Sequence, residues 1–165
     1  MTNLKPQTNV VIVGGGTAGW MTAAALSKLL GKTLNVRLVE SEEIGTVGVG
    51  EATIPTLMTL HRLLKIDEAA FLKATQGTIK LGIQFENWQK EGHQYFHSFG
   101  YTGEGCWAAG FQHFWLKGQQ LGLGDPDYGQ YAPELVAAQA EKFGLLKPVP
   151  LSYAYHMDAS GYARF

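Results

Sequence analysis

Three glycines, a glutamate and a lysine are the residues of this chain whose types and spacing could do chemistry. Gly14, Gly16 and Gly19 form a G-x-G-x-x-G run between the β-branched stretch Asn9 to Val13 and the helix-forming stretch Ala18 to Leu30. In that setting the first glycine permits a tight turn, the second lets the backbone reach a pyrophosphate, and the third lets helix and strand pack closely. A helix N-terminus offers free N–H groups and a positive dipole end, so the amides of Thr17 and Ala18 are the expected phosphate donors. Glu40 ends the next apolar stretch, 21 residues beyond Gly19, where its carboxylate would accept hydrogen bonds from a ribose and repel a 2′-phosphate. FAD and NAD share this fingerprint, which does not choose between them.

The lysine stands in "GTIKLGIQFENW", Gly77 to Trp88. Ile79, Leu81, Ile83 and Phe85 alternate with Lys80, Gly82, Gln84 and Glu86, the period of a strand with one buried face. Either Lys80 meets water on the other face, or that face lines a site that needs an amine. Gly82 and Gln84 share the face and would leave room beside the lysine.

The elements that must position these groups begin with one βαβ unit, strand Asn9 to Val13, helix Ala18 to Leu30 capped at Gly31, and strand Leu34 to Val39. "SEEIGTVGVGEATIP" follows as a long loop in which Gly45, Gly48 and Gly50 would let the backbone approach a flat ring or a phosphate. A helix is expected from about Thr53 to Pro55 onward, with Leu57, Leu60, Leu63 and Leu64 on one face. Glu51 is then an acid near a helix start, placed for the dipole rather than for catalysis. Asp67 should cap a second helix, "EAAFLKAT".

Beyond Trp88 the signals weaken: "HSFGYTGEGCW" reads as a loop and "GFQHFWLKGQQLG" as a short helix bracketed by glycines, with His113 and Trp115 in its packing. Pro133 to Phe143 reads as a clearer helix. "PLSYAYHMDASGYARF" reads as an extended segment with His156 as a hydrogen-bonded structural residue, a cap at Asp158 and the first turns of a helix. That unfinished helix leads to the expectation of the N-terminal part of a longer protein.

Composition excludes whole classes. At 165 residues the chain is one domain by length, and 45% hydrophobic with 16% charged residues is enough for a core. A net charge of -1 supplies no electrostatic reason to bind nucleic acid or an anionic membrane. The single cysteine, Cys106, excludes an internal disulfide and, with no basic or histidine neighbour, is expected to be inert. No apolar run has the length of a membrane span or signal-peptide core, so a cytoplasmic location is expected. His93 and His97 are four apart, but the residues between them carry no helical signal, and no metal site is expected.

"VVIVGGGTAGWMTAAAL", "GVGEATIPTL", "KLGIQFENW" and "YAYHMDA" resemble, in the same order, the N-terminal part of the flavin-dependent halogenases of the tryptophan halogenase type. The first stretch is shared with many flavoproteins, and the second and third are specific to the family. The resemblance implies an α/β, FAD/NAD(P)-binding Rossmann-like fold of the aromatic hydroxylase-like kind, truncated. Residues 1–165 would be the N-terminal part of the FAD-binding domain, with 89–150 leading into the substrate-binding region. It implies FAD, reduced by a separate flavin reductase, which with O2 and chloride or bromide forms hypohalous acid. That acid would pass through a tunnel to a small aromatic substrate of the indole or tryptophan type. Lys80 matches the lysine that holds and directs the oxidised halogen. The loop from Gly45 to Pro55 matches the flavin strap, with the backbone at Ala52 touching FAD, and His97 and Phe99 match residues flanking the substrate.

The family's WxWxIP motif, a glutamate thought to assist the lysine and most of the substrate box lie outside residues 1–165, so these residues alone are expected to be a poor or inactive catalyst. Two alternatives share the nucleotide fold. An FAD-dependent aromatic monooxygenase, a hydroxylase, would have no required use for Lys80, and a non-catalytic flavin-binding module would hold FAD without turnover.

Overall fold

The computed structural model describes residues 8–44, 50–145 and 150–165. Gly45 and Gly48 of the expected flavin strap lie outside the described residues. The chain forms two compact units, Met1–Thr78 with Tyr155–Phe165, and Ile79–Ala154.

The first unit opens with β1 (Thr8–Val13), α1 (Thr17–Leu30) and β2 (Leu34–Val39), the βαβ unit read from the apolar runs. β1 and β2 are parallel, with Ile12 opposite Leu38 and Val13 opposite Val39. Val10, Ile12, Val36 and Leu38 are half-buried on the face that meets α1, where Gly19 would bring a Cβ within 3.7 Å of Leu38. Continuous apolar runs of this kind are expected in parallel strands covered on both faces. Instead, Val11, Val13 and Val39 of the opposite face are exposed, Val13 by 84%.

β3 (Gly50–Ala52) pairs antiparallel with β7 (Ala154–Asp158), placing Glu51 opposite Met157 and Ala52 opposite His156. Thr53 extends the pairing, its N–H donating to the Tyr155 carbonyl at 2.8 Å while its Oγ1 accepts from the Tyr155 N–H at 2.9 Å. Glu51 therefore lies in a strand, not at a helix start, and the first turn of α2 (Thr56–Leu64) holds no acid. Leu57, Leu60 and Leu64 are half-buried as expected, but Leu63 is 51% exposed. At 100° per residue the inward stripe through positions 57, 60 and 64 takes in His61 instead.

α3 (Glu68–Thr75) is capped by Asp67, whose Oδ1 accepts from the Ala70 N–H at 2.8 Å. α6 (Ala159–Arg164) is capped by Asp158, which accepts from the N–H groups of Ser160 and Gly161 at 2.7 and 3.0 Å. The Gly161 and Ser160 bonds hold the Asp158 carboxyl below its usual value. Both caps stand where the sequence placed them.

The core of this unit is aromatic. Phe71 is fully buried, with His61, Tyr155 and Tyr162 packed edge-on around it at ring separations of 4.5, 5.0 and 5.4 Å. His61 Nε2 and the Tyr162 hydroxyl share a hydrogen bond of 2.8 Å, and the Tyr155 hydroxyl donates to Glu68 at 2.8 Å. Burial pushes Tyr162 up to about 12 and His61 below its ordinary value, the latter against the pull of Glu68. His61 Nδ1 is buried with no hydrogen-bond partner among the described residues.

In the second unit the Lys80 segment is two strands rather than one. β4 (Thr78–Lys80), which begins at the boundary, is interrupted at Leu81 before β5 (Gly82–Glu86). β5 forms an antiparallel hairpin with β6 (Gln94–Ser98), whose last two residues, His97 and Ser98, begin the stretch expected as a loop. Phe85 stacks on its partner Tyr95 at 4.9 Å, and Asn87, at a left-handed φ of 57°, accepts the Gly92 N–H to close the turn. α4 (Phe111–Gln120) starts at Gly110 as expected. Trp115 packs edge-on to Tyr128 and donates to the Asp125 carbonyl at 3.0 Å, whereas His113 is exposed.

A 3-10 turn, Tyr128–Tyr131, leads into α5 (Pro133–Gln139). α5 stops four residues before the expected Phe143, because Glu141 adopts a left-handed φ of 52° that no helix continues through.

The state of His61 makes stability depend on pH. Its folded pKa lies below 6.5, so the unfolded chain takes up the proton first and folding loses free energy as pH falls below the unfolded value. The urea midpoint of the purified chain is expected to drop between about pH 7.5 and about pH 5.5, and His61→Gln to flatten that slope.

Candidate cofactor and catalytic sites

The nucleotide loop works through atoms it lacks. Gly14 holds a φ of +118°, which side chains rarely adopt, and its N–H donates to the Val39 carbonyl at 2.8 Å. A Cβ on Gly19 would overlap the Gly14 carbonyl oxygen, so only glycine lets α1 close on the turn. A Cβ on Gly16 would meet nothing within 4 Å. Gly16 is also the N-cap of α1, and no side chain caps that helix. Its first-turn amides, Thr17 and Ala18 among them, are therefore uncapped by any side chain at the positive end of the dipole.

Glu40 lies exposed at the end of β2, close enough to Gly15 that a Cβ there would overlap its side chain. A cleft of about 1010 Å³ includes Gly15, Thr17 and Glu40 in its lining, with Trp20, Tyr162 and Arg164. Backbone approach at Gly16, an uncapped helix N-terminus and a carboxylate at the strand end meet the demands of a pyrophosphate and a ribose, so these residues fit FAD. Gly14, Gly16, Thr17, Ala18, Gly19 and Glu40 are thus gathered at one place. Ala52 lies exposed in β3 and does not line that cleft.

Lys80 belongs to the other unit and does not face water. It is 9% exposed, as is Leu81, so the inside-outside alternation fails at this pair. Its Nζ lies 5.3 Å from the centre of the Phe99 ring. Burial lowers the pKa of the amine. Phe99 follows β6, and its N–H donates to the Leu81 carbonyl at 3.1 Å, tying it to the residue after the lysine.

The room expected beside Gly82 is filled, since a Cβ there would overlap the Phe96 ring. Of the pair His97 and Phe99, only Phe99 reaches Lys80, while His97 is exposed opposite Ile83. No group of three His, Cys, Asp or Glu among the described residues could hold a metal ion. Cys106 is exposed, and no described helix is long and apolar enough to cross a membrane.

Glu134 was missed by the sequence reading. It is a buried carboxylate, although an acid in a first helical turn reads as a solvated dipole partner. No spacing or local motif marked it.

A parallel βαβ unit with its glycine turn at a helix N-terminus and an acid at the second strand's end defines an FAD/NAD(P)-binding Rossmann-like protein. The chain belongs to the tryptophan halogenase family, whose description matches it over residues 9–165. It is 34% identical over 173 residues to the tryptophan 7-halogenase RebH of Lentzea aerocolonigenes, covering 94% of this chain and 32% of RebH. Over 97 residues it is 47% identical to the tryptophan 6-halogenase SttH of Streptomyces toxytricini, covering 59% of this chain and 18% of SttH.

Among solved structures, Xcc4156, a flavin-dependent halogenase from Xanthomonas campestris, matches with 61% identity and a TM-score of 0.89, covering 96% of this chain and 32% of that one. BrvH, a flavin-dependent halogenase from Brevundimonas sp. BAL3, matches with 39% identity and a TM-score of 0.81 over the same shares. The chain therefore spans about a third of the length of these structures.

Two substitutions separate the roles of the glycines. Gly16→Val projects into open space, so FAD affinity should fall by roughly tenfold or more with the thermal midpoint unchanged. Gly19→Val must displace the Gly14 carbonyl and should lower the thermal midpoint itself. Flavin fluorescence titration and thermal unfolding check the pair.

Proposed function

We propose that the protein halogenates an electron-rich aromatic compound of the indole or tryptophan type, with Lys80 as the catalytic residue. The observation that carries this is a buried amine set over a flat aromatic ring, in a family whose relatives are flavin-dependent halogenases. Bound in its reduced form, FAD supplies with O2 the two-electron oxidation of chloride or bromide to hypohalous acid. A separate flavin reductase would deliver the reduced cofactor.

This chain's residues bind and direct. The amides of Thr17 and Ala18 take the pyrophosphate charge, Glu40 accepts from the ribose hydroxyls, and the strap residue Ala52 offers backbone to the flavin. The Lys80 ammonium donates a hydrogen bond to the oxygen of the hypohalous acid, drawing electron density from the halogen and making it a better electrophile. Contact with the Phe99 ring favours that charged form over a free amine. Phe99 offers an apolar flank for a substrate ring and keeps water from the amine. Hydroxylation would leave the burial of Lys80 without a use, and the relatives named here are halogenases.

The full-length protein, given a flavin reductase, NADH, FAD and chloride or bromide, is expected to add halogen mass to members of an indole panel. Hydroxylated products would contradict the reading. Because the ammonium is the working form and burial lowers its pKa, turnover should fall as pH rises, with the fall centred below the ordinary lysine value of 10.5. A rate that climbs over that range would assign the work to the free amine.

A further inference from the structure

Glu134, on the first turn of α5, has 3% of its surface exposed. Burying a carboxylate is unfavourable unless hydrogen bonds satisfy its oxygens. Here Oε2 accepts from Ser98 Oγ at 2.9 Å, and Oε1 accepts from the Ser152 N–H at 2.8 Å. Gly100 makes the room, because a Cβ there would overlap the Glu134 carboxylate. Ser98 Oγ accepts in turn from the Gly100 N–H at 3.2 Å. Carboxylate, hydroxyl and amide thus form a continuous chain around the segment Ser98 to Gly100.

Phe99 is the middle residue of that segment. Its flanks are fixed by the Glu134 chain, its own N–H by the Leu81 carbonyl, and its ring lies beside Lys80 Nζ. We infer that Glu134 is a positioning residue: through Ser98 and Gly100 it holds Phe99 against Lys80, and so sets where the amine and a substrate ring meet. The inference rests on the catalytic reading of Lys80. The Ser152 bond ties one carboxylate oxygen to the chain beyond α5, and the Ser98 bond ties the other to the segment that carries Phe99, so the same buried group that anchors α5 also fixes that segment. Misplacing a reacting group by about 1 Å can cost on the order of a hundredfold in rate.

The test uses the full-length protein with 4-fluorophenylalanine at position 99, read by fluorine NMR and by halogenation kinetics. Ser98→Ala breaks the chain at its hydroxyl and leaves the Glu134 to Ser152 bond in place. It should shift or split the fluorine resonance and lower kcat by roughly tenfold or more, with KM for reduced FAD unchanged. Ser98→Thr restores the hydroxyl and should recover both, and Glu134→Gln should move both in the same direction as Ser98→Ala. An unmoved resonance and an unmoved kcat in Ser98→Ala and Glu134→Gln, with Lys80→Ala inactive, would sink this inference alone. A Lys80→Ala variant that halogenates at the parent rate would sink the catalytic reading and reduce Glu134 to an anchor, whatever the fluorine shift.

Discussion

An amine that has lost most of its water must be compensated by what surrounds it, and much of the unit Ile79–Ala154 answers to that constraint. Lys80 ends one short strand, and the break at Leu81 frees a carbonyl that takes the Phe99 N–H. The β5–β6 hairpin delivers Phe99 at its exit, ring toward the ammonium. α5 supplies a buried carboxylate to the residues on either side of Phe99. A solvated strand lysine needs none of this, because its stem can lie on the surface with its head in water.

On the proposed reading the other unit meets a different demand, which is to bring backbone close to a cofactor's phosphates without a side chain intervening. Its answer is geometric. Gly14 turns where other residues strain, Gly19 lets the helix close, and Gly16 leaves the approach clear. The uncapped α1 terminus then has donors to spare, and Glu40 lies beside it as a carboxylate acceptor. In the same unit the aromatic cluster around Phe71 packs α2, α3, α6 and β7 together, at the expense of a histidine nitrogen left buried without a partner among the described residues.

What could be read from sequence was local. The glycine fingerprint was legible because a missing Cβ is a property of the residue itself, and the caps at Asp67 and Asp158 because each side chain bonds an amide two or three residues on. β3 was illegible because its partner lies about a hundred residues away, and three residues give no periodicity. β6 escaped because five residues give little periodicity and the glycines that follow drew its last two residues into the expected loop. Leu63 was grouped with Leu57, Leu60 and Leu64 on one helical face, but the inward place went to His61, which hydropathy ranks as polar. Glu134 escaped for a like reason: its burial is decided by Ser98 and Ser152, neither of which is near it in sequence. For Lys80 the alternation posed the right choice, and only three-dimensional packing could show that the amine is covered.

The central claim is that Lys80 steers oxidised halogen from the flavin to the substrate. The most direct measurement is the partition of halogen between a bound aromatic substrate and a halogen acceptor free in solution, compared for the parent and Lys80→Met at equal consumption of reduced flavin. The account predicts that the parent halogenates the bound substrate and that Lys80→Met releases its halogen to the free acceptor. Continued delivery to the bound substrate by Lys80→Met would contradict it.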